Sequence, residues 1–233
     1  MSSTSSKPPQ AICFDFDGTL VQFTGDYGNF VAGFRSELNL ESCDMNAFAT
    51  RLAQEERREG PGTLRRSLET VLRGLGQRLP DDLDALTERA IADYCSHLEL
   101  LPGAGEVLEL CRAHDVPLAL ITNAHADGQW AAVRSLGLEG YFRRVLISGD
   151  AAVGVRKPSP RIFELALGAL GTRAEQTLMV GDNLEADVRG ALACGMRAVY
   201  LGQETGPDFE TLPDIAAFGA WLGDHLNAST THV

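Results

Sequence analysis

Two carboxylates two residues apart, in the run Asp15-Phe16-Asp17-Gly18-Thr19, follow directly on a short apolar stretch, and they are the first residues whose types suggest chemistry. Three further polar clusters have the same setting, each at or just beyond an apolar run: Thr122-Asn123, Arg156-Lys157-Pro158, and the Gly181-Asp182-Asn183-Leu184-Glu185-Ala186-Asp187 segment. Ligands of open parallel sheets bind beyond the carboxyl ends of the strands, so these clusters are expected to meet in one crevice. Grouped carboxylates raise one another's pKa unless a cation joins them, and a hard divalent ion held by carboxylates, waters and substrate oxygens suits Mg²⁺. Thr122, Asn123, Lys157 and the backbone N–H groups of the turn through Gly18 are donors or cations able to hold the oxygens of a phosphoryl group. The set describes phosphoryl transfer.

The elements that must position these groups are short and apolar. Residues 11–15 (AICFD), 117–122 (PLALIT), 144–148 (RVLIS), 177–181 (TLMVG) and 197–201 (RAVYL) read as strands buried on both faces. Helical patterns separate them, as in residues 104–114 with Val107, Leu108 and Cys111, and residues 160–170 with Ile162, Phe163, Ala166, Leu167 and Leu170 before Gly171. A last helix is expected over residues 213–226. This alternation predicts an α/β fold: a doubly wound, parallel, five-stranded Rossmann-like core. Residues 21–101 carry no convincing strand but four stretches of helical periodicity, 27–38, 44–58, 62–75 and 81–98, and are expected to form an inserted all-helical cap. In the third stretch Leu64, Leu68, Val71, Leu72 and Leu75 make one apolar stripe that needs a partner helix. The expected division is a disordered leader over 1–10, a core over 11–20 and 102–233, and the cap over 21–101.

The 233 residues, 44% hydrophobic and 22% charged, exclude a disordered, collagenous or coiled-coil main state. A net charge of −12 disfavours nucleic-acid polymers and anionic membranes as partners. Five scattered cysteines without a C-x-x-C pair suggest a reducing compartment, and no apolar run has signal-peptide or membrane-spanning length, so a cytoplasmic location is expected. The expected partner is a small phosphorylated metabolite, with the chain a monomer or homodimer.

The run Asp15-Phe16-Asp17-Gly18-Thr19-Leu20 after an apolar strand resembles the first motif of the haloacid dehalogenase superfamily. Thr122, Lys157 and the Gly-Asp-x-x-x-x-Asp run from Gly181 to Asp187 are similar to its second, third and fourth motifs, in the same order. The resemblance covers residues 11–21 and about 102–201, and the helical insertion stands where that superfamily places a cap. It points to the phosphoglycolate phosphatase-like branch with a helical cap. The resemblance implies that Asp15 is the nucleophile of an aspartyl-phosphate mechanism and that Asp17 protonates the leaving alkoxide. It also implies Mg²⁺ on Asp15, the Asp17 carbonyl and Asp182, with Asp187 helping to hold the site, and Thr122 and Lys157 neutralising the transferring group. Family members that cleave carbon–halogen bonds lack an acid at the position of Asp17, because a halide leaves without a proton. The implied activity is hydrolysis of a small phosphomonoester of the sugar phosphate, phosphoglycolate or nucleotide class. A phosphomutase or phosphotransferase using the same intermediate, and a non-catalytic binding protein retaining the fold, stand as alternatives.

Other readings of these residues fare worse. An EF-hand loop needs Gly sixth and Glu twelfth, whereas Gly18 is fourth from Asp15. Gly103-x-Gly105 lacks the third glycine of a dinucleotide site, and no P-loop run exists. The histidines show no metal spacing, although His125 falls close to the crevice. Arg51, Arg57, Arg58, Arg65, Arg66 and Arg73 are interleaved with Glu55, Glu56, Glu59 and Glu69 and read mainly as an ion-paired solvent face. Residues 23–30 (FTGDYGNF) line either a substrate entrance or a packed hinge.

Overall fold

The computed structural model describes residues 7–26, 28, 32–34, 38 and 43–230, apart from the side chains of 229 and 230. A six-stranded parallel sheet forms the centre, with strands β1 (Ala11–Phe14), β4 (Leu118–Thr122), β5 (Arg144–Ile147), β6 (Thr177–Gly181), β7 (Arg197–Leu201) and β8 (Glu210–Leu212) in the order β5-β4-β1-β6-β7-β8. The five expected strands are present, and β8 corrects the count to six. Its Glu-Thr-Leu sequence is half-buried at the sheet edge and carries none of the apolar run that marks the interior strands.

Alternation along each strand divides its side chains between two cores. In β1, Ile12 and Phe14 enter one cluster with Leu118, Leu120, Val107, Leu108, Phe218 and Leu222, while Ala11 and Cys13 enter another with Ala119, Ile121, Ile162, Phe163 and Met179. Helices α4 (Ala104–Ala113), α5 (Ala126–Ser135) and α8 (Ile215–Thr230) cover the first face; α6 (Pro160–Leu170) and the short α7 (Gly190–Ala193) cover the second. Because both faces are covered, β1 is apolar throughout and fully buried. The chain runs from β1 out to β4 and β5 on one side, then returns to β6 on the other. The end of β1 therefore lies at the reversal point where a crevice must open.

Between β1 and α4 the chain forms α1 (Met45–Glu56), α2 (Leu64–Gly74) and α3 (Leu83–Ser96). Phe48, Leu52, Leu68, Val71, Leu72, Leu83 and Leu86 bury a third cluster, in which the expected stripe of α2 finds its partners. Of the helix expected over 27–38, residues 28, 32–34 and 38 are described and the rest lie outside the described residues. The expectation of no strand in this stretch is corrected by β2 (Val21–Phe23) and β3 (Leu98–Leu100), which pair antiparallel as Val21↔Leu100 and Phe23↔Leu98. Each has three residues, too few for alternation to register against the helical patterns beside it. No described helix is long and apolar enough to cross a membrane.

Candidate active site

Every cluster singled out in the sequence reaches the carboxyl end of the sheet. Asp15, Asp17, Thr122, Asn123, Lys157, Asp182, Asn183, Ala186 and Asp187 line one crevice of about 250 Å³. Asp15 continues β1, with its N–H donating to Val180 O at 3.0 Å. Its Oδ1 accepts from Lys157 Nζ at 2.5 Å and its Oδ2 from Thr19 Oγ1 at 3.3 Å, so both carboxylate oxygens are oriented. Lys157 also donates to Ile121 O at 2.7 Å and lies 2.7 Å from Asp187 Oδ1. That approach is an ion pair without hydrogen-bond alignment, and Asp187 Oδ1 is buried with no hydrogen bond. Asp182 precedes and Asp187 lies within a single π-helical turn, Leu184–Arg189, after β6. Asn183 Oδ1 starts the turn by accepting from Glu185 N and Ala186 N, while Asp187 Oδ2 accepts from Asn183 N at 3.0 Å. Glu185 points out to an ion pair with Arg189 and takes no part.

Two residues expected to contact substrate have protein partners here. The Gly18 N–H donates to Val21 O at 2.8 Å, so it is already engaged. What Gly18 contributes is room: its φ is +79°, and a Cβ there would fall 2.2 Å from Asp182 Oδ2. The Asn123 amide brackets the backbone of Lys157, donating from Nδ2 to the carbonyl oxygen at 2.9 Å and accepting from the N–H at Oδ1 at 2.8 Å. It holds the lysine loop, while its second Nδ2 hydrogen remains to face the crevice.

Sequence reasoning missed Gln129 and Tyr94. Gln129, nearly buried on α5, donates from Nε2 to Asp17 Oδ2 at 2.8 Å and to Thr122 Oγ1 at 3.0 Å. Tyr94 OH on α3 donates to Asp17 Oδ1 at 3.2 Å. The only sequence signal for either was a polar residue on a helical face, which a solvent-exposed side chain produces equally. Asp17 is exposed where the crevice meets a neighbouring cavity, yet protein groups crowd it closely enough to limit its hydration. Burial pushes its pKa up to about 6, the Gln129 hydrogen bond opposes this, and the Asp15 charge adds to it. Burial likewise raises Asp182 to about 7, helped by Asp15 and Asp187, and Asp187 to about 6, with Lys157 opposing. Burial works against the charge on Lys157, but the Asp15 and Asp187 carboxylates outweigh it and leave the pKa above the ordinary value.

A second space adjoins the crevice at Asp17 and Asn123. This chamber of about 390 Å³ is walled by Phe23, Leu52, Glu56, Leu64, Ile91 and Tyr94 from β2 and the inserted helices, and by residues 123–125, 128 and 129 from the other side. Several polar contacts join its walls. Asp127 accepts from Leu64 N at 2.8 Å and Arg65 N at 3.3 Å, capping α2 from outside its own segment. His125 Nε2 and Ser67 Oγ lie 2.8 Å apart, and Arg156 donates to Glu56 O at 2.7 Å. Gly62 N donates to Gly149 O, and Ala126 N to Gly62 O. The chains approach so closely here that a Cβ on Gly149 would lie 2.5 Å from Gly62 O.

A family model described as haloacid dehalogenase-like hydrolase matches residues 9–195. The chain belongs to the haloacid dehalogenase-like hydrolases. A ribulose-1,5-bisphosphate 5-phosphatase of Halopiger xanaduensis is 32% identical over 221 residues, covering 89% of this chain and 90% of that one. A phosphoserine phosphatase of Thermus thermophilus is 44% identical over 117 residues, spanning 50% of this chain and about half, 46%, of its own length. Among solved structures, a haloacid dehalogenase-family phosphatase from Thermococcus onnurineus superposes with a TM-score of 0.71 over 91% of this chain and 97% of its own, at 22% identity, and so shares the fold.

The acidic group of this haloacid dehalogenase-like hydrolase fits a divalent cation on its own geometry. Oxygens of Asp15, Asp182 and Asp187 lie within 4.8 Å of one another. All the donors are hard oxygens, one of them is buried without a hydrogen bond, and the missing Cβ of Gly18 keeps the space beside Asp182 open. The raised pKa values of Asp182 and Asp187 mark a charge imbalance that such an ion would relieve.

Proposed function

We propose that the protein is a Mg²⁺-dependent phosphatase that hydrolyses a small phosphomonoester through an aspartyl-phosphate, with residues 21–101 closing as a cap over a core of 11–20 and 102–233. The observation that carries this reading is the contrast between two neighbouring aspartates. Asp15 is oriented by Lys157 and Thr19 among the metal-binding carboxylates, whereas Asp17 is turned toward the chamber by Gln129 and Tyr94 and held at a raised pKa. One is placed to attack and the other to carry a proton.

In the first step an Asp15 oxygen forms a bond to phosphorus while the bond from phosphorus to the ester oxygen breaks. That oxygen takes its proton from Asp17. Water then attacks phosphorus, passes a proton to the Asp17 carboxylate and releases inorganic phosphate from Asp15. The Thr122 hydroxyl accepts from Gln129, which leaves its own proton to donate to a phosphoryl oxygen, and the Lys157 ammonium balances charge beside the nucleophile. Asp15, the Asp17 carbonyl, Asp182 and Asp187 would hold Mg²⁺, which when bound neutralises phosphoryl oxygens and the carboxylates themselves. The relatives named above act on a doubly phosphorylated pentose and on a phosphorylated amino acid, and what these share is a phosphate ester of an alkyl alcohol. Such a leaving group needs the proton that Asp17 supplies.

The test is phosphate release from a panel of sugar phosphates, nucleoside monophosphates, phosphoglycolate and an aryl phosphate, with Mg²⁺ and with chelator. Asp15→Asn should lower turnover by roughly 10⁴-fold or more while thermal unfolding stays unchanged. Full activity in that variant would remove the covalent mechanism. Consumption of ester without release of inorganic phosphate would point instead to a phosphotransferase.

A further inference from the structure

The chamber beside Asp17 is where the alcohol of the ester must lie, because the crevice on the other side of Asp17 is filled by the phosphoryl-binding groups. Its lining contains no lysine or arginine among the described residues. Phe23, Leu52, Leu64, Ile91, Ala124 and Gly128 make most of the wall, and its acidic members are Glu56 and Asp17. Burial drives the pKa of His125 down against the pull of Glu56 and Asp127, which disfavours a positive charge on the imidazole.

Several described arginines of the surrounding elements have other partners. Arg65 is tied to Asp84 at 2.6 Å and Glu69 at 2.5 Å, and Arg73 to Glu69 at 2.7 Å. Arg51 donates to Gly74 O, and Arg156 to Glu56 O and Ser148 Oγ. Arg58, Arg66 and Arg156 line a smaller recess of about 140 Å³ that meets the chamber at Glu56, Ala124 and His125, and there Glu55, Glu56 and Glu59 stand among them and balance their charge. A second anion on the leaving group would therefore sit against Glu56 in a space with apolar walls. Glu56 is exposed at the chamber's rim, where its charge repels an approaching anion, and no cation of the described lining offsets the hydration that the anion would lose against the apolar walls.

We propose that, in contrast to the two relatives named above, whose substrates' alcohols carry a carboxylate or a second phosphate, the chamber selects phosphomonoesters with an uncharged, partly apolar leaving group, with Glu56 discriminating against anions. This rests on the phosphatase reading above and narrows its substrate class.

The probes are benzyl phosphate and 4-carboxybenzyl phosphate, which differ by one carboxylate, assayed by phosphate release with Mg²⁺. The wild-type protein should show a kcat/KM at least tenfold higher for the uncharged ester. Glu56→Gln should shrink that ratio several-fold, and Glu56→Arg should invert it. A wild-type preference for the carboxylated ester, or a ratio that none of the Glu56 variants moves, overturns the assignment. The two free alcohols, compared by ligand-detected NMR, require no turnover. Selective binding of the uncharged alcohol without hydrolysis of any ester would refute the phosphatase reading and uphold the chamber assignment. Hydrolysis of both esters at equal efficiency would do the reverse.

Discussion

The crevice and the chamber share Asp17 and little else. The crevice is built from strand ends, packed with charge, and cross-braced so that nearly every polar atom has a fixed partner. The chamber is assembled from helices of two separate stretches of chain, walled mostly by apolar side chains and joined by single hydrogen bonds. Strand ends are held by ladders on both sides and cannot drift, whereas helix faces keep their place through packing that tolerates substitution. Rigid chemistry and adjustable recognition are thus allotted to different kinds of structure.

The sharpest way to break this division is at the shared residue. Asp17→Ala should lower kcat/KM for alkyl phosphates by about 10²- to 10⁴-fold and for an activated aryl phosphate by much less, since only the former need a proton on departure. An equal loss for both would deny Asp17 its acid role. Asn123→Ala probes the bracing alone: freeing the Lys157 backbone should cost about 10- to 100-fold in kcat with little change in KM. A rise confined to KM would instead place Asn123 against the substrate. Ile91→Ala, in the chamber wall, should change KM by a factor of a few and leave the rate with a small aryl phosphate nearly intact, as expected for a contact worth about 1–3 kcal/mol.

The smallest effect is on stability. Asp182 is held up to about 7 and Asp187 and Asp17 up to about 6, against about 4 for an unfolded carboxylate. Between those limits the folded, metal-free chain keeps protons that the unfolded chain releases, so stability is greatest below about pH 4 as far as these groups are concerned and falls as pH rises toward 7. Melting in chelator should therefore occur a few degrees higher at pH 5.5 than at pH 7.5, and Mg²⁺ should raise the midpoint more at pH 7.5. A Mg²⁺ effect that is larger at the lower pH would contradict the carboxylate assignment.

The same division governs what the sequence revealed. Strands buried on both faces are contiguous apolar runs, so their ends could be found by inspection, and Asp15, Asp17, Thr122, Lys157, Asp182 and Asp187 were all located from them. Which of the gathered groups were already engaged was not legible, because the bonds of Gly18 to Val21 and of Asn123 to Lys157 depend on backbone geometry. Gln129 and Tyr94 were hidden for another reason. Each reaches Asp17 from a helix whose rotation about its axis is set by tertiary packing. The edge strand β8 and the β2–β3 pair escaped because three residues carry too little periodicity.

The pairing of β1 also constrains how the molecule is made. Ile12 bonds into the sheet only beside Leu118 and Leu178, while the third apolar cluster draws on residues between Phe34 and Leu86 together with neighbours close in sequence. A chain emerging from the ribosome therefore presents the apolar partners of its inserted helices before the strand that carries Asp15 has either neighbour. For much of synthesis the apolar run from Ala11 to Phe14 has exposed edges, and the crevice at its end takes shape only after the inserted helices have found their apolar partners.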